Sequence, residues 1–189
     1  MQVEQFVMAY LADQDRIRAL LPGGFESLRP VLRINAEITH SGAYLEFNTP
    51  ATAMGKRGWL NIGFWNGAEY KKEGKSTSFH TPFLDISFLR VGISGGCPAE
   101  KDNDGCFFPY SRKSFRPAEK ITENKEFCDC EFKWKFSPHD AFGKSEGATF
   151  PAFYTEPQTV CEKLPLTAQN AAAIACIKVL GSYAVIFER

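Results

Sequence analysis

Between Val31 and Ile38 the chain alternates without a break, with Leu32, Ile34, Ala36 and Ile38 on one parity and Val31, Arg33, Asn35 and Glu37 on the other. A two-residue period belongs to a strand with one apolar and one mainly polar face; a helix does not present it. Ser41-Gly42 then supplies a turn, and Tyr44 to Thr49 pairs with the first run as a hairpin. Gly58 to Trp65 adds a strand rich in aromatic and β-branched residues. Thr77 to Ile93, broken at Pro82, then Phe127 to Phe136, Ala148 to Thr155 and Tyr183 to Glu188 read as further strands. The expected class is therefore mainly β (α+β), built as a barrel-like sheet or as two packed sheets.

Two helices interrupt the pattern. Asp13 can cap a short one from about Gln14 to Leu21, which Pro22-Gly23-Gly24 ends. Thr167 can cap a second from Ala168 to Leu180, whose Ala-rich body has high helix propensity and whose Gly181 stands at the C-cap position. The charged run Lys71-Lys72-Glu73-Gly74-Lys75 reads as a turn, and Gly95 to Arg116, rich in Gly, Pro and charge, as a long connection that is either functional or mobile.

At 189 residues, with seventeen Phe and no internal repeat or linker, the chain is expected to form a single domain, 1–189, around one core. Lys plus Arg and Asp plus Glu both number 22, so no net field draws the protein to phosphate backbones or anionic lipid, and nucleic acid is not an expected partner. The first ten residues carry Glu4 and no basic leader, and no run approaches the ~20 apolar residues of a membrane span. A cytoplasmic location is the expectation, and with it six cysteines kept as thiols.

Two cysteine-bearing segments invite a metal or redox reading. In Cys128-Asp129-Cys130 the strand period puts both thiols with Phe132, Trp134 and Phe136 on one face, where small buried thiols in an aromatic core are the ordinary explanation. In Cys97 to Cys106, Glu100, Asp102 and Asp104 alternate before Gly105 as in a calcium loop, but Ser111 stands where the closing Glu belongs. A solvated acidic turn is expected there, with a lid or redox role left open.

The run from Val7 to Leu20-Leu21-Pro22, followed by Arg29-Pro30-Val31-Leu32-Arg33-Ile34-Asn35, resembles the opening of the acetoacetate decarboxylase family: a strand, a short helix ending at Leu-Pro, and a Pro-led strand. Tyr44-Leu45-Glu46 is similar to that family's Tyr-x-Glu strand, and Lys56-Arg57-Gly58-Trp59-Leu60 to its Gly-x-(Tyr or Trp)-Leu strand. The resemblance covers residues 5–66. It implies an acetoacetate decarboxylase-like fold and a pocket for a keto acid or related organic acid. It also implies a lysine that forms a Schiff base, since a protonated imine accepts the electrons released with carbon dioxide.

The only adjacent lysine pair here is Lys71-Lys72, which the resemblance makes the catalytic candidates; read from its neighbours alone, the pair is a solvated turn. The resemblance further implies Glu46 as acid or base, Arg33 pairing a substrate carboxylate, and Asn35, Tyr44, Trp59 and Asn61 lining the pocket. No cofactor and no metal is expected. The leading expectation is a small-molecule pocket protein and, if an enzyme, a lyase. The second is a non-catalytic ligand-binding or oligomerisation module on the same scaffold, leaving a homo-oligomer open, and the third is a thiol redox or metal protein.

Overall fold

The computed structural model describes residues 1–95, 104–110, 114–135 and 174–189. Its elements run β1 (Gln2–Leu11), α1 (Gln14–Leu20), β2 (Glu26–Ser27), β3 (Val31–Thr39), β4 (Gly42–Ala53), β5 (Lys56–Glu73), β6 (Ser76–His80), β7 (Leu84–Gly95), β8 (Cys106–Phe108), β9 (Arg116–Pro117), β10 (Lys125–Trp134) and β11 (Lys178–Glu188). All eleven strands join one sheet in the order β2-β4-β3-β1-β11-β10-β7-β6-β5-β8-β9, and β4 also pairs with β5. Among the described residues, a single sheet therefore stands in place of two packed sheets, and the extra pairing returns the ladder on itself.

Period two decides which side chains meet. Leu32, Ile34 and Ala36 of β3 join Phe6, Met8 and Tyr10 of β1, Leu45 and Phe47 of β4, Leu60 and Ile62 of β5, and Phe79 and Phe88 in the main core. Phe6, Phe79 and Phe88 form a ring triangle with centroids 5.4, 5.3 and 6.1 Å apart. Cys128, Cys130 and Phe132 pack against this core, as their parity requires.

Asp13 caps α1 by accepting hydrogen bonds from the backbone N–H groups of Asp15 at 2.8 Å and Arg16 at 3.0 Å. The β4–β5 hairpin turns on Met54 and Gly55, with φ of 52° and 68°, the paired positive angles of a two-residue turn that matches strand twist. Gly58 serves a different need, because a Cβ there would run into the Cys106 carbonyl of β8, which pairs in parallel with β5.

Three expectations are corrected. Lys71, Lys72 and Glu73 are the last residues of β5, paired with Ser78, Thr77 and Ser76, so the turn is confined to Gly74-Lys75. Residues 174–180 are not helical, and β11 begins at Lys178, pairing Lys178 and Val179 with Leu11 and Tyr10 of β1; the sheet claims this stretch against its local propensity. The 168–173 part of that expected helix, the Ala148–Thr155 strand and residues 97–103 of the acidic loop lie outside the described residues. Within the Gly95–Arg116 connection, Cys106–Phe108 and Arg116–Pro117 are short strands of the same sheet.

Candidate functional site

The polar parity of β3 and β4 faces away from the main core, yet it is not a solvent face. Asn35, Glu37, Glu46 and Asn48 are 5%, 7%, 8% and 0% exposed. Two apolar anchors explain why. Phe107 of β8 packs on Ala9, Val31 and Trp59, and Ile121, beyond β9, packs on Val3, Val7, Tyr183, Val185 and Phe187. Gly105, Phe107 and residues 116–121 thereby roof a cavity of about 680 Å³ whose wall includes Arg33, Asn35, Glu37, Tyr44, Glu46, Trp59, Arg116 and Lys120. That volume is the size of an ordinary small-molecule site.

Glu46 is the hub of its floor. Asn35 and Asn48 each donate to Oε1 at 2.9 Å, Asn61 donates to Oε2 at 2.9 Å, and the Tyr44 hydroxyl donates to the same Oε2. Four neutral donors thus satisfy one buried carboxylate, as burial of such a group demands. The register puts them there: Asn35 stands opposite Glu46 across β3–β4, and Asn48 opposite Asn61 across β4–β5. Burial, and then the negative Glu46, push the Tyr44 hydroxyl far above its ordinary pKa, so it stays a proton donor.

Beside the hub, Glu37 accepts from Gln5 at 2.8 Å and from both terminal nitrogens of Arg189 at 2.9 and 3.0 Å. Arg189 also grips Glu119 on the roof, at 2.8 and 2.7 Å, and so ties the roof to the floor. Arg33 lies over the Trp59 ring at 4.0 Å. Its Nε and the Oδ1 atoms of Asn35 and Asn48 are buried with no hydrogen-bond partner among the described residues. Arg33 and Asn35 both line the cavity.

Of the residues expected from sequence, Arg33, Asn35, Tyr44, Glu46 and Trp59 line this one cavity, and Asn61 lies directly beneath, bonded to Glu46. Lys71 and Lys72 are not brought to it. Both are exposed on the end of β5 that pairs with β6, Lys71 bound to Glu73 at 2.5 Å and Lys72 to Glu4. That end of β5 pairs with Ser76, Thr77 and Ser78 of β6 and contributes nothing to the cavity lining. Among the described residues, Lys120 is the lysine in the wall. The polar parity of Arg33 and Asn35 already points to Glu37, which lines the cavity with them. Sequence reading missed Lys120, Arg189 and Glu119, because their meeting depends on β11 and on where the roof lands.

Cys106, Cys128, Cys130 and Cys176 are free thiols, and no cluster of three or more His, Cys, Asp or Glu among the described residues is placed to hold a metal. No described helix is long and apolar enough to cross a membrane.

No family model matches the chain, and no curated protein matches it. Solved structures do. Acetoacetate decarboxylase from Legionella pneumophila superposes with a TM-score of 0.56 at 12% identity, over 98% of this chain and 81% of that one. The enduracididine biosynthesis enzyme MppR complexed with pyruvate gives 0.51 at 13% identity, over 98% and 84%. An acetoacetate decarboxylase-like enzyme from Sphingomonas wittichii gives 0.53 at 10%, over 98% and 87%. Together with the sheet described above, these likenesses show that the chain has an acetoacetate decarboxylase-like fold.

Proposed function

We propose that the roofed cavity binds a small organic acid of the keto-acid type. The observation that carries this reading is the pairing of Arg33, whose guanidinium lies over Trp59, and the Glu46 hub in one cavity lining. A ligand carboxylate suits a guanidinium that presents parallel N–H groups and is already desolvated by a ring. Pyruvate, held by one structural neighbour, is the natural probe. Titration calorimetry with pyruvate should show saturable binding that weakens at least about tenfold in Arg33→Ala, the worth of one charge-assisted hydrogen bond. Equal binding by the variant removes the reading.

A lyase is the second reading, favoured by Lys120 standing in the same wall as Glu46. Its amine would add to the ketone and lose water to give an imine, which borohydride reduces to a stable secondary amine. An adduct on the Lys120 peptide, absent from Lys120→Met, selects the lyase. Pyruvate binding without an adduct selects the non-catalytic binder.

A further inference from the structure

On β6, Ser78 and His80 are two residues apart and share the face turned away from the core, while Thr77 and Phe79 between and beside them are 4% and 0% exposed. Asp85 of β7 stands directly opposite His80 in register. The Ser78 Oγ lies 3.2 Å from His80 Nε2, and His80 Nδ1 lies 2.8 Å from Asp85 Oδ1. Lys135 also binds that Oδ1, at 2.9 Å. None of the three residues lines the roofed cavity.

We propose that Ser78, His80 and Asp85 form a nucleophilic centre that takes an acyl or phosphonyl group from activated electrophiles. The chemistry follows from the two contacts. With its Nδ1–H given to Asp85, the imidazole keeps the Nε2 lone pair for the serine hydroxyl, which fixes the tautomer a general base needs. Ser78 Oγ attacks the carbonyl or phosphorus, its proton passes to Nε2, and the leaving group departs with the electrons of the broken bond and takes up that proton. An aryl ester leaves acyl-serine and a phenol; a fluorophosphonate leaves phosphonyl-serine and hydrogen fluoride. His80 is the base, and Asp85 is a positioning residue.

The register shows what surrounds the centre. Lys71 of β5 and Ser87 of β7 flank Ser78, and Glu69 flanks His80 on the side opposite Asp85. His80 and Asp85 side chains are 43% and 35% exposed, so the site is open to a large electrophile but offers little preorganised stabilisation of an oxyanion. Stoichiometric modification, with slow release by water, is the expected behaviour rather than rapid turnover.

The test is labelling of the full chain with a tagged fluorophosphonate, followed by tryptic mapping of the peptide 76–90. The expected result is one adduct on Ser78, at least tenfold faster in native than in urea-unfolded protein, lost in Ser78→Ala and reduced at least tenfold in His80→Gln. The low-field imidazole N–H proton resonance should survive Ser78→Ala and vanish in Asp85→Asn, and Asp85→Asn should also slow Ser78 labelling at least tenfold, which loss of a merely structural aspartate would not do. Circular dichroism confirms that each variant is folded. Wild-type protein that labels no faster native than unfolded, or labelling that persists in His80→Gln, overturns the proposal without any appeal to the variants' stability.

Discussion

Asn35 of β3 stands directly opposite Glu46 of β4 and donates from Nδ2 to Oε1 at 2.9 Å, which leaves its own Oδ1 buried and without a partner among the described residues. Asn48 repeats the arrangement on the same oxygen. Two amides therefore spend their donors on one carboxylate oxygen and keep their acceptors in reserve.

This geometry separates two substitutions at one position. Glu46→Ala strands three buried amide donors and the half-buried Tyr44 hydroxyl and should cost at least about 2 kcal/mol in urea unfolding, since each unmatched buried group costs about 1–3 kcal/mol. Glu46→Gln is expected to cost less than about half as much. Its amide can take the Oε1 place, and flipping Asn35 and Asn48 turns their idle Oδ1 atoms toward the two new N–H groups. Equal losses in the two variants would show that the amides cannot turn.

Gly58 is expected to tolerate no side chain. A Cβ there meets the Cys106 backbone, so Gly58→Ala should push β8 off β5 and unseat Phe107 from Ala9, Val31 and Trp59. Overpacking of this kind costs about 1–3 kcal/mol. Hydrogen exchange should quicken at residues 105–108 more than in β3, and a uniform change across the sheet would contradict this account.

Thiol reactivity should follow burial. Burial pushes the Cys128 thiol up to about 11, and burial with the nearby Cys128 and Cys176 pushes Cys130 up to about 12, against an ordinary value of 9.0. At pH 8 the Cys130 thiolate is then about a thousandfold rarer than in a free thiol, and Cys128 about a hundredfold rarer. Disulfide-exchange reagents should modify the pair slowly in native protein and at once in denaturant.

Acid should destabilise the fold through three carboxylates held low. Burial opposes the charge of Asp85, but hydrogen bonds from Lys135 and His80 bring it below 3.8; the backbone N–H and guanidinium of Arg57 hold Asp104 below 3.8; Arg90 and the Gly92 N–H hold Glu126 below 4.5. For a lowered pKa the unfolded chain takes up protons first. The stability is complete above about pH 4.5 and is lost as pH falls through and below 3.8. Urea midpoints at pH 6, 4 and 3 should fall in that order. Arg90→Met, which takes one guanidinium from both Glu4 and Glu126, should lower the pH 6 midpoint and flatten the fall.

Alternation from Val31 to Ile38 and again from Tyr44 to Thr49 was enough to fix which side chains of β3 and β4 go to the core and which share the opposite face, because strand parity leaves no other choice. The same local chemistry fixed the Asp13 cap and the end of α1. Parity could not say whether Arg33, Asn35, Glu37 and Glu46 meet water. Phe107 and Ile121, distant in sequence, decided that by anchoring a roof over them. Lys71 and Lys72 form a pair in sequence but stay outside the cavity, whereas Lys120 enters its wall, since adjacency along a chain carries no information about which end of a long strand is covered. Residues 178–180 show the same limit from the other side. Their local propensity favours a helix, and β1 offers a row of unpaired backbone groups that only a strand can satisfy, so the tertiary hydrogen bonds win.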